Sequence, residues 1–228
     1  MLYTEQSVKA NIRNREGKRV FFLAQGDTLT PGARDFLSRE RIEVRSAEEA
    51  KIETYRLLNG GFLKEKPEHM THLHGDVLVN KTHPRIAFRG RIDMLEAEIA
   101  LCQLTAEEPI RRQLGEILSL TSKLISCYVL NEPVPEERLC GLTQAEIRQR
   151  SHRPQDFYGQ PHFMPEYTDG EAILRLNRCR CAAREAELSA VRAFLDAEGN
   201  PTRVDILQAM NRISSMLYIL MIQLKKGK

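Results

Sequence analysis

Residues 81–104, KTHPRIAFRGRIDMLEAEIALCQL, decide the fold class. The second half of this stretch has an apolar residue at every third or fourth position, the spacing that places side chains on one face of an α-helix. These residues are Ile92, Leu95, Ile99 and Cys102. A charged edge formed by Arg89, Asp93 and Glu96 runs beside them. The carboxylate of Asp93 could orient an arginine from another helix, although an ordinary surface ion pair explains the same spacing. We therefore expect a long helix with one buried face and one charged edge.

Four further segments in the C-terminal two thirds of the chain are predicted to be helical. They are residues 109–130, 143–150, 171–196 and 201–225. Thr143 with Glu146 three residues later forms a capping-box signature, and Asn200 before Pro201 is a helix-start signal. Residues 206–224 are apolar nearly all round, which is typical of a central buried helix. Together with the first helix, these segments predict a mainly α fold, a five-helix up-down bundle.

The N-terminal part predicts a small α/β extension. Residues 19–24 and 41–45 have the β-branched and aromatic composition of strands, and Thr30 before Pro31 starts a helix between them. This order predicts a β-α-β unit. Its apolar surface is too small for a confident independent domain, so we expect it to dock on the rest of the chain.

The segment between this unit and the bundle gives weaker signals. Residues 47–58 are predicted to be helical, and residues 64–84 a loop with room for a brief strand at 77–79. We place the domain division between the extension, residues 1–66, and the helical-bundle domain, residues 67–228.

Composition restricts the function classes. The 228 residues are 42% hydrophobic and 29% charged, and no segment approaches the roughly 18 to 20 apolar residues of a membrane span. The N-terminus lacks the apolar part of a secretory signal, so we expect a cytoplasmic protein. A net charge of +3 is too mild for a nucleic-acid-binding protein. RNA binding through Arg148, Arg150 and Arg153 lacks aromatic residues on a regular element for base stacking.

Two arginines mark the predicted helix 171–196. Arg180, Arg184 and Glu187 fall at i, i+4 and i+7 beside a stripe of mostly small apolar residues. Small residues let a neighbouring helix approach closely, and guanidinium groups at such a seam need carboxylate or phosphate partners. A structural ion pair and a ligand phosphate both meet this need.

Polar residues in the last helix and aromatic residues in the loop before residue 171 are further candidates. Asn211 and Ser214 interrupt an apolar stripe and need partners, either on another helix or on a ligand. Residues 151–170 are too aromatic for a plain linker. The rings of this loop either seal the end of the bundle or contact a ligand.

Histidines and cysteines raise the question of a metal. The histidines before the first bundle helix are His69, His72, His74 and His83. They could hold zinc or iron, but a loop with flanking acids and lysines is more often solvated. The five cysteines include no CxxC pair, which argues against a disulfide framework or zinc knuckle. Cys179 and Cys181 are two positions apart and point to different helix faces. We predict no structural metal.

Four segments resemble motifs of the cob(I)alamin adenosyltransferases, in the order of that family. Residues 81–99 are similar to KxxPRIxFRGxLDxLEAxI of the ethanolamine-utilization branch, and residues 205–215, DILQAMNRISS, to its DILQALNRLSS. RCRCAAREAE at 178–187 resembles RxxCRRAERR, and FMPEYTDGEAIL at 163–174 resembles FxLPGGxxxxAxL. The match spans about residues 71–224.

The resemblance implies a reaction and a set of residues. The reaction is transfer of the 5′-deoxyadenosyl group of ATP to cob(I)alamin, giving adenosylcobalamin and tripolyphosphate for ethanolamine utilization. The implied catalytic residues are Arg180, Arg184 and Asp93, with Arg180 paired to Asp93. The implied ATP contacts are Thr71, Lys81, Arg85, Arg184, Glu187 and Asn211. The implied corrinoid contacts are Phe163, Arg212 and Ser215, with Phe163 pressing on the lower face of cobalamin.

The resemblance also implies cofactors and partners. They are ATP, Mg²⁺ and cobalamin as substrate, a homotrimer with sites between subunits, a cobalamin reductase and a corrinoid-dependent ammonia-lyase. Neither nucleic acid nor membrane is expected, and association with a bacterial microcompartment is an expectation of the branch.

The chain departs from the family in three places. It lacks the glycine-rich TGDKGxT segment that contacts phosphates and the CC-x-x-C metal cluster of the branch, and Ser215 replaces an acidic residue of the broader family. These differences keep an alternative open, a non-catalytic bundle that binds nucleotide or corrinoid for cofactor delivery or microcompartment interaction. ATP turnover with a reduced corrinoid separates the two.

Overall fold

The computed structural model describes three ranges of the chain, residues 1–15, 18–47 and 54–227. The residues group into two units, which we describe separately. One comprises Met1–His83 with Val129–Asn131, and the other Pro84–Tyr128 with Glu132–Lys228. The predicted domain division at residues 66 and 67 stays a prediction.

The first unit contains short strands and two helices. The strands are β1 (Leu2–Tyr3), β2 (Arg13–Arg15), β3 (Lys18–Leu23), β4 (Thr28–Leu29), β5 (Glu43–Ser46), β6 (Tyr55–Leu57), β7 (Phe62–Leu63), β8 (Met70–His74) and β9 (Val77–Asn80). The helices are α1 (Glu5–Asn11) and α2 (Pro31–Arg39). The hydroxyl of Thr30 accepts a hydrogen bond from the amide of Ala33 and caps α2. In the chain, α2 lies between β3 and β5, and these two strands pair in parallel, which confirms the predicted β-α-β unit.

One prediction for the end of this unit is wrong, and another is confirmed only in part. The predicted helix 47–58 contains β6, while residues 48–53 lie outside the described ranges. In the predicted loop 64–84, β9 confirms the brief strand at 77–79, whereas its antiparallel partner β8 was not predicted. Because β6 pairs in parallel with the buried strand β9, a long-range partner decides its conformation and overrides local propensity.

The second unit is helical. Its helices are α3 (Pro84–Thr105), α4 (Ile110–Leu130), α5 (Gln144–His152), α6 (Pro154–Tyr158), α7 (Glu171–Ala193) and α8 (Val204–Lys226). All five predicted bundle helices are present, and the mainly α fold is confirmed. The short α6 falls in the predicted loop 151–170. No helix in the described ranges is long and apolar enough to cross a membrane.

The core of the bundle lies where α7 packs between α3 and α8. The buried face of α7 is made of small residues, with Ala183, Ala186 and Ala190 fully buried, so the neighbouring helices approach closely. Between Ile206 and Ile222, α8 has buried residues on nearly all of its sides, which confirms it as the central helix. The hydroxyl of Thr143 and the carboxylate of Glu146 form the predicted capping box at α5.

The predicted start of the last helix at residue 201 is wrong. The carboxylate of Asp196 accepts hydrogen bonds from the amides of Glu198 and Asn200, and the amide of Thr202 donates to the carbonyl of Phe194 at 2.7 Å. These bonds hold the connection in a turn, so α8 begins only at Val204.

Asp205, in the first turn of α8, should contribute to acid stability. Its carboxylate accepts hydrogen bonds from the guanidinium of Arg203 at 2.8 and 2.9 Å and from the amide of Val134 at 2.9 Å. The Arg203 bonds are the main cause that lowers its pKa from 3.8 to about 2. A depressed pKa gives stability that is complete above the unfolded value and is lost as the pH falls from about 4 to about 2.

We expect Asp205→Asn to lower the free energy of unfolding by about 1 kcal/mol at pH 7, a value limited by solvent screening. The variant should also lose less stability than the wild type when the pH falls from about 4 to about 2. Urea unfolding at several pH values measures both effects. Asp35→Asn, at an exposed position in α2, is the control. Identical pH dependence in wild type and Asp205→Asn would contradict the assignment.

Candidate functional site

A cleft of about 460 Å³ lies along α7 and α8 beside the end of α5. It brings together five residues that the sequence predicted for one site. They are Arg180, Arg184, Glu187, Asn211 and Ser215. It also contains Ser214, a polar candidate from the sequence, and residues that the sequence did not single out, namely Ser151, His152, His162, Leu188 and Tyr218.

The two arginines occupy different positions in this cleft. Arg180 is half-buried and donates two hydrogen bonds to Oδ1 of Asn177, at 3.0 and 2.9 Å. Its guanidinium carbon lies 5.9 Å from the centre of the Tyr218 ring. Arg184 is exposed, and within the described residues it forms neither a hydrogen bond nor an ion pair. The guanidinium of Arg184 is therefore available to an anion in the cleft.

The predicted pair between Arg180 and Asp93 does not form among the described residues of the chain. Asp93 is exposed on α3. The charged side chains of α3 in ion pairs with α7 include Glu98, which binds Arg178 at 2.7 and 2.8 Å, and Arg91, which lies 3.9 Å from Glu185. Asp93 lies on another face of the helix, because a residue is rotated by about 100° relative to its neighbour in sequence. Asp93 and Arg180 therefore form neither a hydrogen bond nor an ion pair with each other in the structure.

A hydrogen-bonded series joins α7 to α8 at the cleft. Nδ2 of Asn211 donates to Oε1 of Glu187 at 2.8 Å, and Nη1 of Arg212 donates to Oδ1 of Asn211 at 2.7 Å. The interhelical hydrogen bond considered for Asn211 is thus present, and Asn211 still lines the cleft. Arg212 lines a separate cavity of about 210 Å³ between α4, α5 and α8, and its contact with the corrinoid stays a prediction.

Tyr218 links the aromatic loop to α8. Nε2 of His162 lies 3.2 Å from the carbonyl of His152, which can only accept, so Nε2 carries the proton in this arrangement. Nδ1 of His162 then accepts the hydroxyl proton of Tyr218 at 3.1 Å. The same hydroxyl oxygen accepts the amide hydrogen of Phe163 at 3.1 Å. The rings of Phe163 and Tyr218 stack with centroids 6.1 Å apart, so one side chain of α8 positions Phe163.

A second connection holds the other end of this loop. The ammonium group of Lys225 forms an ion pair with the buried carboxylate of Asp169 and lies 5.1 Å from the centre of the Phe163 ring. The loop is thus connected to α8 at Tyr218 and at Lys225. The sequence indicates that the hydroxyl of a tyrosine on an apolar stripe needs a hydrogen-bond partner. It does not identify that partner, which is 55 residues away.

Arg85 is not a cleft residue. Its Nε donates to the carbonyl of Ala193 at 3.4 Å, at the C-terminal end of α7, where a cation interacts favourably with the helix dipole. Its guanidinium carbon lies 6.0 and 5.9 Å from the ring centres of Tyr128 and Phe194. Because Ala193 follows Arg184 by nine residues, the two arginines are separated by about 14 Å along the helix axis.

Thr71 and Lys81 belong to the first unit. Thr71 pairs with Val79 across β8 and β9, and the amide of Lys81 donates to the carbonyl of His69 at 2.9 Å. Both residues therefore lie at the open end of one hairpin. In the described ranges no three His, Cys, Asp or Glu side chains are grouped to hold a metal ion, and the predicted absence of a structural metal stays a prediction.

Comparisons with known proteins agree with the motifs. Residues 62–224 match the family model of cobalamin adenosyltransferase. The chain is 28% identical to the corrinoid adenosyltransferase EutT of Salmonella typhimurium over 242 residues, which cover 96% of this chain and 90% of that protein. EutT of Escherichia coli K12 gives the same identity and coverage over 243 residues. The corrinoid adenosyltransferase PduO of Citrobacter freundii is 33% identical over 148 residues, covering 62% of this chain and 43% of that protein.

Proposed function

The chain belongs to the cobalamin adenosyltransferase family, and from that premise we propose that it transfers the 5′-deoxyadenosyl group of ATP to cob(I)alamin in the service of ethanolamine utilization. The electron pair of Co(I) forms a bond to C5′ of ATP, the C5′–O bond breaks, and tripolyphosphate leaves with the bonding electrons. No general base is required. The observation that supports this reaction best is the convergence of Arg184, Glu187 and Asn211 on one cleft.

The cleft offers the groups that a nucleotide triphosphate needs. The guanidinium of Arg184 is exposed and can stabilise the negative charge that develops on the leaving phosphates. Glu187 is the one carboxylate among the described residues that line the cleft. This donor set fits Mg²⁺, which proteins hold through one or two carboxylates together with substrate phosphates. When bound with ATP, Mg²⁺ would neutralise charge on the leaving group.

Phe163 is the proposed apolar contact to the corrinoid. An apolar ring that excludes water or a base from the lower face favours four-coordinate cobalt and so eases reduction of Co(II) to Co(I). The hydroxyl of Tyr218 forms hydrogen bonds with the backbone amide of Phe163 and with the side chain of the preceding residue, His162. These bonds position Phe163, which supports this role. The electron comes from a separate reductase or from a chemical reductant.

We propose a homotrimer with sites between its subunits. One face of α3 exposes apolar residues at helical spacing, and Leu104 is 76% exposed. The row consists of Met94, Ala97, Leu101 and Leu104. A row of this kind marks a protein interface. Asp93 lies next to the row and has no partner in the described part of its own chain, so we place it against Arg180 of a neighbouring subunit.

Mixed oligomers test this pairing. Asp93→Ala and Arg180→Ala should each lower adenosyl transfer strongly when present in every subunit. If the pair forms between subunits, random mixing of the two variants rebuilds it in about a quarter of the sites, because each site takes one residue from each of two neighbours. Selection by both tags removes the homotrimers, and every remaining mixed trimer contains one rebuilt site out of its three, so we expect co-expressed, doubly tagged trimers to recover about a third of wild-type activity. Mixed oligomers no more active than either variant would contradict the arrangement. Analytical ultracentrifugation establishes the trimer first.

The direct test of the function is a turnover assay. The purified protein is incubated with ATP, Mg²⁺ and chemically reduced cob(I)alamin, and the absorption change to adenosylcobalamin is followed together with release of tripolyphosphate. Formation of both products in equal amounts supports the proposal. If the folded oligomer forms neither product, the alternative of a non-catalytic nucleotide- or corrinoid-binding bundle replaces it.

A further inference from the structure

Arg212 is a buried cation without an ionic partner among the described residues. It is 8% exposed, and its Nη1 donates to the neutral side chain of Asn211. Its Nε is buried and has no hydrogen-bond partner in the part of the chain that the structure describes. Burial, followed by the nearby charge of Arg148, lowers its pKa. A buried charge is costly unless it is paired and hydrogen-bonded, so this guanidinium requires an anion.

The cavity beside Arg212 has room for such an anion. Its volume is about 210 Å³, below the range of sites for drug-sized ligands and cofactors, which begins at about 300 Å³. A small ion fits this volume better than ATP or a corrinoid does. Oε1 of Gln144 also lines the cavity and is buried without a hydrogen-bond partner among the described residues.

Three of the other charged groups of the cavity, Lys123, Glu137 and Arg138, are already in ion pairs. Lys123 binds Glu137 at 2.6 Å, and Arg138 lies 3.3 Å from Glu146, which is outside the lining. The carboxylate of Glu116 accepts the amide hydrogen of Cys140 at 2.8 Å. Glu116 has no cationic partner among the described residues, and Arg212 has no carboxylate partner there. The lining contains three cations and two carboxylates, so its net formal charge is +1.

We propose that this cavity binds a small oxyanion, with hydrogen phosphate as the best chemical match. A phosphate oxygen accepts a hydrogen bond from Nε of Arg212, and the P–OH group donates to Oε1 of Gln144. A carboxylate supplies the acceptor for Arg212 but no donor for Gln144. Phosphate should therefore bind more tightly than acetate.

The bound anion is connected to the cleft. Arg212 donates to Asn211, which donates to Glu187, so an anion at Nε acts on the orientation of two cleft residues. This part rests on the proposed function, since it links the anion to ATP binding. By thermodynamic reciprocity, phosphate must change the affinity for ATP by the same factor by which ATP changes the affinity for phosphate.

The binding test uses inorganic phosphate and does not need ATP or a corrinoid. Isothermal titration is performed on the folded oligomer in phosphate-free buffer, with Arg184→Ala as background to remove oxyanion binding in the cleft. We expect one phosphate per subunit. Binding should be at least tenfold weaker in the double variant that carries Arg212→Met together with Arg184→Ala. Met is chosen because an apolar side chain of similar length can replace an unpaired buried charge without loss of stability. Arg192→Met, at an exposed position of α7, should leave binding unchanged.

Two outcomes would overturn the inference. Equal phosphate binding with and without Arg212→Met would place the phosphate elsewhere. Absence of binding of phosphate, sulfate and acetate at tens of millimolar would mean that water alone solvates Arg212. Gln144→Met is the second variant: it should reduce the preference for phosphate over acetate while Arg212 is retained. If phosphate binds and ATP does not, the cavity site stands and the proposed function fails.

Discussion

Arg184→Ala is expected to lower kcat/KM for ATP by about a hundredfold or more, the usual effect of removing a group that stabilises charge in a transition state. Arg184 lines the cleft and is exposed, and no described residue of the same chain pairs with it. Its guanidinium would therefore contact the phosphates and not a structural carboxylate. Steady-state kinetics with cob(I)alamin and varied ATP measures the effect. Arg184→Lys should keep the charge and lose the bidentate geometry, giving an intermediate rate.

The matched control is Arg178→Ala on the same helix. Arg178 points away from the cleft and binds Glu98 through two hydrogen bonds. Its replacement removes an ion pair outside the cleft, whose carboxylate partner Glu98 is 11% exposed, and should leave kcat/KM of the folded variant close to the wild-type value. Equal losses in both variants would show a general effect on the helix and would contradict a phosphate role for Arg184.

Tyr218→Phe is expected to lower kcat by about ten- to a hundredfold while KM for ATP changes little, because displacement of a positioned group by about 1 Å has effects of this size. The substitution retains the ring beside Arg180 and removes only the hydroxyl. The amide of Phe163 and Nδ1 of His162 then lose their partner. The spectrum of bound cob(II)alamin should show less of the four-coordinate form.

A readout without substrates accompanies this prediction. Hydrogen exchange at the amide of Phe163 should become faster in Tyr218→Phe, because its acceptor is gone. Tyr167→Phe, in the same loop and 87% exposed, should change neither exchange at Phe163 nor kcat. A wild-type cob(II)alamin spectrum in Tyr218→Phe would contradict the positioning role even if the rate fell.

The bundle could be predicted from the sequence because its helices bury continuous apolar stripes of 3.6-residue periodicity, as α8 shows most strongly. The cluster of Arg184, Glu187 and Asn211 followed from the family motifs. The strand β6 could not be predicted, because its conformation depends on pairing with β9 about 20 residues later. Local sequence carries no information on such a partner.

The positions of Asp93 and Arg212 show a different limit. A motif gives the type and order of residues but does not state whether two of them meet within a chain or between chains, so the predicted pair of Asp93 and Arg180 left this question open. Arg212 follows Asn211 directly, so its side chain leaves α8 about 100° away from the cleft. Helical geometry alone could have separated these two neighbours.

Tyr218 has a consequence for the distance between the two substrates of the proposed reaction. Asn211, the proposed nucleotide contact, and Tyr218, which accepts the amide hydrogen of the proposed corrinoid contact Phe163, are seven residues apart on α8. The rise of an α-helix makes this separation about 10 Å. In the proposed reaction, one helix thus sets the spacing between a nucleotide contact and the contact that positions the corrinoid-facing ring. Movement of α8 would carry both contacts together and leave their spacing unchanged, whereas a bend between residues 211 and 218 would misalign the reacting atoms.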